Sequence, residues 1–213
     1  MINTTLTKIR DCHPCEDSWV QLLAGLGKTK ADDDPLPMTD ILRICGLADC
    51  LWATRSLPEH DKTWRLLACD YADNMLHLFE DKYPDDSRPR DCIAVSRRFA
   101  LGDATSDELE AARGGAAWAA ADAWAAGAVG DTRAARAAWA ARDAGDTGGA
   151  LAARDTWAAR AAWAARATWA AWAETRLVAC LEAGEWVAET PAKEAEQDCP
   201  ACGGTGINQT GEK

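Results

Sequence analysis

The stretch RDTWAARAAWAARATWAAW, residues 154–172, decides the fold. Its large residues recur every third position: Arg154, Trp157, Arg160, Trp163, Arg166, Trp169 and Trp172, with two small residues, mostly Ala, in each gap. The same step appears earlier at Arg133, Arg136, Trp139 and Arg142. Ala is the strongest helix former and Arg stands close behind it. No Pro lies between Pro89 and Pro191 to interrupt a helix. On an α-helix a step of three is 300°, so each large residue slips back 60°. Trp157, Trp163 and Trp169 then point three ways, and the helix needs apolar neighbours on more than one side. The Ala positions let those neighbours come close. Each Trp also lies three residues from an Arg, where a guanidinium stacking on indole contributes roughly 0.5–1 kcal/mol per exposed pair. A helix of three residues per turn would instead align every Trp and Arg along one edge. Long 3₁₀ runs are uncommon and a collagen-like bundle needs Gly where this chain has Ala, so propensity favours α.

Outward from this array, Thr105-x-x-Glu108 reads as a capping box opening the first Ala-rich helix. Gly127 with Gly130, and Gly145 through Gly149, mark two turns, giving helical segments at about 106–126, 132–143 and 150–183. The first half reads as shorter helices. Ser18 caps one, carrying Trp19, Leu22, Leu23 and Leu26 and ended by Gly27. Thr39 or Asp40 starts a second, stopped by Gly46, and Leu47, Leu51 and Trp52 belong to a third. Pro58 opens the clearest amphipathic helix, with the stripe Trp64, Leu67, Tyr71, Met75, Leu78 and Phe79. A fifth helix runs from Asp91 to Leu101. The expected fold is therefore all-α: one helical domain over 1–183, with a short-helix half (11–104), the array (105–183), and a polar tail over 184–213.

Composition bounds the function. The chain has 213 residues, 48% hydrophobic by virtue of its Ala content, and few β-branched residues for a large sheet. Its net charge of −11 argues against nucleic-acid binding by field alone. No apolar run resembles a signal peptide, and Arg punctuates the array too often for it to span a bilayer. Nine scattered cysteines read as reduced thiols in a cytoplasmic protein.

Two features carry chemistry. Cys199-Pro-Ala-Cys202-Gly-Gly-Thr-Gly206 matches the C-x-x-C-x-G-x-G knuckle repeated in the zinc domain of J-protein chaperones. Zinc needs four ligands, and Cys12 and Cys15 of the first C-x₂-C pair, or a partner chain, are candidates to complete the set. A tail without metal is the competing reading. The second feature is acidic: Asp32, Asp33 and Asp34 in a connector, and Asp85 and Asp86 after Pro84. As a solvated loop the aspartate triplet keeps the protein soluble; as a surface it suits a basic partner. His13, His60 and His77 lie in no nucleophile motif and no phosphate loop is present, so no catalytic residue or organic cofactor is assigned. Cys45, Cys50, Cys69, Cys92 and Cys180 read as small core residues.

Several phrases in order resemble an immunity protein family of bacteria and phages. They are Leu26 to Pro37 (LGKTKADDDPLP), Gly46 to Arg55 (GLADCLWATR), Pro58 to Arg65 (PEHDKTWR), Arg98 to Thr105 (RFALGDAT) and then the array. The resemblance covers roughly residues 15 to 182. It implies a protein without enzymatic activity that binds and neutralises a cognate toxin or effector, in toxin–immunity or anti-defence systems. No catalytic residues carry over, and the knuckle is not a defining feature of that family. The alternative is a nucleic-acid-binding helical protein stacking bases on the Trp/Arg array. An enzyme with a fold-assembled Cys/His site stands last. An oligomer is compatible with all three.

Overall fold

The computed structural model describes residues 1–126, 129–145, 148–149, 153 and 167–189; for 129–133 and 167–169 it describes the backbone alone. The elements are β1 (Asn3–Thr4), α1 (Leu6–Asp11), α2 (Glu16–Leu26), β2 (Leu36–Pro37), α3 (Met38–Ala53), α4 (Asp61–Glu80), α5 (Arg88–Leu101), α6 (Ser106–Ala125), α7 (Val129–Ala144) and α8 (Ala167–Ala183). Among the described residues the protein is all-α apart from one two-residue antiparallel ladder, with Asn3 opposite Pro37 and Thr4 opposite Leu36.

α4 is the central element. Trp64, Leu67, Tyr71, Met75 and Phe79 of its stripe are buried, and so are Leu66, Ala68, Cys69 and Ala72 on its other faces. Its neighbours are α5, α7 and α8. Pro58 does not open α4 itself but a 3₁₀ turn, Pro58–His60, and α4 follows from Asp61. The turn has a structural use: Leu57 O accepts the Trp64 indole N–H at 3.3 Å, which satisfies the one polar atom of the buried ring.

α7 shows what the Ala/Trp/Arg step builds. Ala134, Ala135, Ala137, Ala138, Ala140, Ala141 and Ala144 are all fully buried. At 100° per residue they cover more than half the circumference, and α4, α5 and α6 press against that arc. Arg136, Trp139 and Arg142 slip back 60° at a time and stay half-buried, the first two on the remaining edge and Arg142 at the border of the alanine arc beside Ala135. The helix has 16 residues, so the slip never completes a circuit. Trp139 and Trp172 are only partly buried, and Trp118 and Trp124 of α6 are 69% and 60% exposed. Helices in contact through Ala leave no room between them for an indole, so the large rings lie at the margins. Trp157, Trp163 and the Trp169 side chain lie outside the described residues.

Other boundaries moved for identifiable reasons. α2 begins at Glu16 with Cys15 at its N-cap, because Ser18 Oγ is turned away to donate to Asp49 Oδ2 on α3 at 3.0 Å. The break expected at Gly46 is present: its φ of 83° and ψ of 179°, a conformation open essentially to Gly alone, divides α3 into two helical pieces. α5 starts three residues early, at Arg88, with Pro89 in its first turn. The capping box at Thr105 and Glu108 forms as read, with bonds of 3.2 and 2.7 Å. The helix α1, capped by Thr5 Oγ1, and the β1–β2 ladder are additions to the expected plan.

Candidate functional site

The thiol pair sits in the turn between two helices. Cys12 follows α1, half-buried, and Cys15 caps α2 from an exposed position; His13 between them takes a left-handed φ of 58°. The Cys15 thiol donates to Ser18 Oγ at 3.0 Å. Burial, partly offset by the Arg55 charge, pushes the Cys12 thiol above its ordinary pKa. Among the described residues no group of three or more His, Cys, Asp and Glu is placed to hold a metal ion. Cys199 and Cys202 lie outside the described residues. Cys50, Cys69, Cys92 and Cys180 are buried core thiols as expected, whereas Cys45 is only half-buried. Burial pushes Cys69 and Cys92 up to about 12.

The two acidic groups are less naked than their sequence suggests. Lys28 Nζ bridges Asp32 Oδ2 at 2.6 Å and Asp34 Oδ2 at 3.0 Å, while Asp33 between them is exposed. The Asp32 carbonyl also accepts from Thr7 N, which ties the loop to α1. Asp86 receives Arg88 through Nε at 2.9 Å and Nη2 at 2.7 Å, and this guanidinium holds its carboxyl below the usual range. The same Arg88 Nη2 reaches Asp122 on α6 at 2.8 Å. Asp85 is exposed. The aspartate triplet is thus anchored to α1, and the second pair to α5 and α6.

A third acidic feature emerges only in three dimensions. Asp70 and Asp73 stand one turn apart on α4, followed by Asn74, and together with Arg97 of α5 they form one wall of a cleft. Trp172 of α8, and Trp186, Ala188 and Glu189 from the segment after it, form the other. Its volume is about 440 Å³. At its base Asp70 is 8% exposed and gathers three donors. Arg97 Nη1 reaches Oδ1 at 2.9 Å, while Arg176 Nη2 and Trp186 Nε1 reach Oδ2 at 2.5 and 2.8 Å. Arg176 Nη2 also donates to Val187 O at 2.6 Å. Asp70 therefore fastens the segment after α8 onto α4. Nearer the surface Asp73 pairs with Arg97, and Glu189 Oε1 accepts the Trp172 indole N–H at 3.1 Å. The three carboxylates face two guanidinium groups, so the described residues leave the cleft a formal charge of −1. The sequence signal for this site is Asp70, a lone carboxylate in the apolar run Leu66-Leu67-Ala68-Cys69-Asp70-Tyr71-Ala72.

No described helix is long and apolar enough to cross a membrane. No curated protein and no solved structure matches the chain. Residues 58–114, which include α4, α5 and the first half of α6 and supply Asp70, Asp73, Asn74 and Arg97, match the family model described as "Imm-5 like putative immunity protein".

Proposed function

We propose that this chain is an immunity or anti-defence protein that binds and neutralises a partner toxin or effector without catalysing a reaction. The match of residues 58–114 to an immunity-protein family carries the reading. The net charge of −11 supports a basic partner, because opposite potentials steer encounter and raise the association rate. Asp33, Asp85 and the outer carboxylates of the cleft are the exposed acids on which such a partner would dock. Asp32, Asp34 and Asp86 contribute through the loops they hold. The free thiols fit a reducing, cytoplasmic setting. Within α7 the Arg/Trp step favours this reading over nucleic-acid stacking: Arg142 lies 4.3 Å from the Trp139 ring centre and pairs with Asp143, so its charge is already engaged.

The test is neutralisation. The gene is co-expressed with candidate effectors encoded beside it, and growth and direct binding of the purified pair are measured. Relief of toxicity with a stoichiometric, salt-sensitive complex is expected. Toxicity unrelieved by the chain for every neighbouring effector, with no complex formed, overturns the reading.

A further inference from the structure

We infer that the cleft between α4 and the segment after α8 receives an arginine side chain of the basic partner; this rests on the partner-binding reading above. Its volume of about 440 Å³ falls within the range of ligand pockets, roughly 300–1,000 Å³. A narrow site for an atomic ion would be smaller. The indoles of Trp172 and Trp186 both line it. An aromatic face attracts a cation, and a planar guanidinium also stacks on it, which an ammonium does not. The acceptors lie at the rim: Asp73 is half-exposed, Glu189 is exposed, and Asn74 stands one residue on from Asp73.

The inner groups cannot serve as the receptor. Asp70 is buried and already holds Arg97, Arg176 and Trp186. Its role is to fix Trp186 by the indole N–H, so that one aromatic wall is in place before the partner arrives. Trp172 is held at its own N–H by Glu189. An incoming guanidinium competes for that carboxylate, so the Trp172 N–H reports directly on occupancy. The surplus negative charge in the cleft selects a cation over a carboxylate, and Arg97 and Arg176 set the limit to one.

The experiment titrates the full chain with N-acetyl-Gly-Arg-Gly-amide at low salt and follows the indole N–H signals of Trp172 and Trp186 by ¹H–¹⁵N NMR, assigned through Trp172→Phe and Trp186→Phe. The expected result is a saturable shift of Trp172 with the arginine peptide, and at least tenfold weaker binding of the citrulline peptide, which has the same shape without the charge. Asp73→Asn together with Glu189→Gln, both at the exposed rim, should weaken the arginine peptide at least fivefold while leaving the melting curve in place. No shift, an equal shift with citrulline, or a shift unaltered in the double variant overturns the inference. The same double variant separates this inference from the proposed function. An identified effector that binds it as tightly as the parent leaves neutralisation standing and removes the cleft. Saturable arginine binding without any effector complex leaves the cleft standing and removes neutralisation.

Discussion

Replacing Asp70 should destabilise the protein more than replacing any other acidic residue described here. The carboxylate is 8% exposed, and its partner Arg176 has a side chain 7% exposed. In Asp70→Ala the Arg176 guanidinium keeps only the Val187 carbonyl, and the Trp186 N–H loses its acceptor. Breaking one side of a buried ion pair costs about 3–5 kcal/mol, mostly because a charge is left unpaired in a poorly solvated place. For a domain of this length each kcal/mol moves the midpoint by roughly 2–4 °C, so Tm should fall by about 10 °C. Asp70→Asn keeps the shape and one acceptor and should lose about 2 kcal/mol, the scale of a hydrogen bond to a charged group. Asp73→Asn, at the exposed end of the same cluster, should cost under about 1 kcal/mol. Urea unfolding followed by tryptophan fluorescence and far-UV circular dichroism gives all three values, provided that the two probes coincide. Adding Arg176→Met to Asp70→Ala should return part of the loss, because the stranded charge is gone; coupled neighbours differ from additivity by about 0.5–3 kcal/mol. If Asp70→Ala and Asp73→Asn unfold at the same urea concentration, the buried pair does not fasten the segment after α8 to α4.

Four further outcomes follow from the same geometry. Gly149→Ala should cost about 1–3 kcal/mol, since its Cβ would stand 2.2 Å from the Asp61 carbonyl oxygen, while Gly114→Ala, with open space around it, should gain about 0.5–1 kcal/mol; equal melting of the two variants contradicts this contrast. Thiol labelling of the native protein, read by peptide mapping, should modify Cys15 first and Cys50, Cys69, Cys92 and Cys180 only on unfolding; early modification of Cys69 or Cys92 would show the core to be open. Arg88 lowers the folded pKa of Asp86, so their pair contributes fully above the unfolded carboxylate range near pH ~4 and fades as pH falls through the depressed folded value; the stability gap between parent and Asp86→Asn should therefore close on acidification, and a gap independent of pH refutes it. If Cys12, Cys15, Cys199 and Cys202 share a zinc ion, metal analysis of chelator-free protein should find one zinc per chain, lost in the Cys199→Ala/Cys202→Ala variant, and its absence from the parent removes the proposal.

What the sequence made legible is what local chemistry controls. The stripe of α4, Trp64 to Phe79, repeats at helical spacing over about four turns, so its identity survives any arrangement of neighbours. The box Thr105-x-x-Glu108 needs only residues three apart, and Gly27, Gly46 and Gly102 mark the positions where the backbone turns to positive φ. The array was legible as helix but not as a division of labour. Which of Ala and Trp enters a core depends on how closely the neighbouring helices approach, and that distance is a property of the packed whole. The β1–β2 ladder was beyond reach for a different reason: two residues cannot show alternation, and this pairing is held from outside, by Ile2 N–H on Leu181 O and Met38 N–H on Ile2 O.

The cleft lay hidden because its parts are distant in sequence. Asp70 meets Arg97 across 27 positions, Arg176 across 106 and Trp186 across 116. A carboxylate amid Leu, Ala, Cys and Tyr announces that a cation must come to it, because burying it unpaired is too costly. It does not announce which cation. The acids that stood out instead, Asp32 to Asp34 and Asp85 with Asp86, did so by adjacency. Adjacency is also what allows one neighbouring lysine or arginine to neutralise them: Lys28 takes two of the first group and Arg88 takes Asp86. An acidic run along the chain is thus a poor measure of the field a partner meets. The residual charge in a folded cleft is a better one, and there, among the described residues, three carboxylates outnumber two guanidinium groups beside the indoles of Trp172 and Trp186.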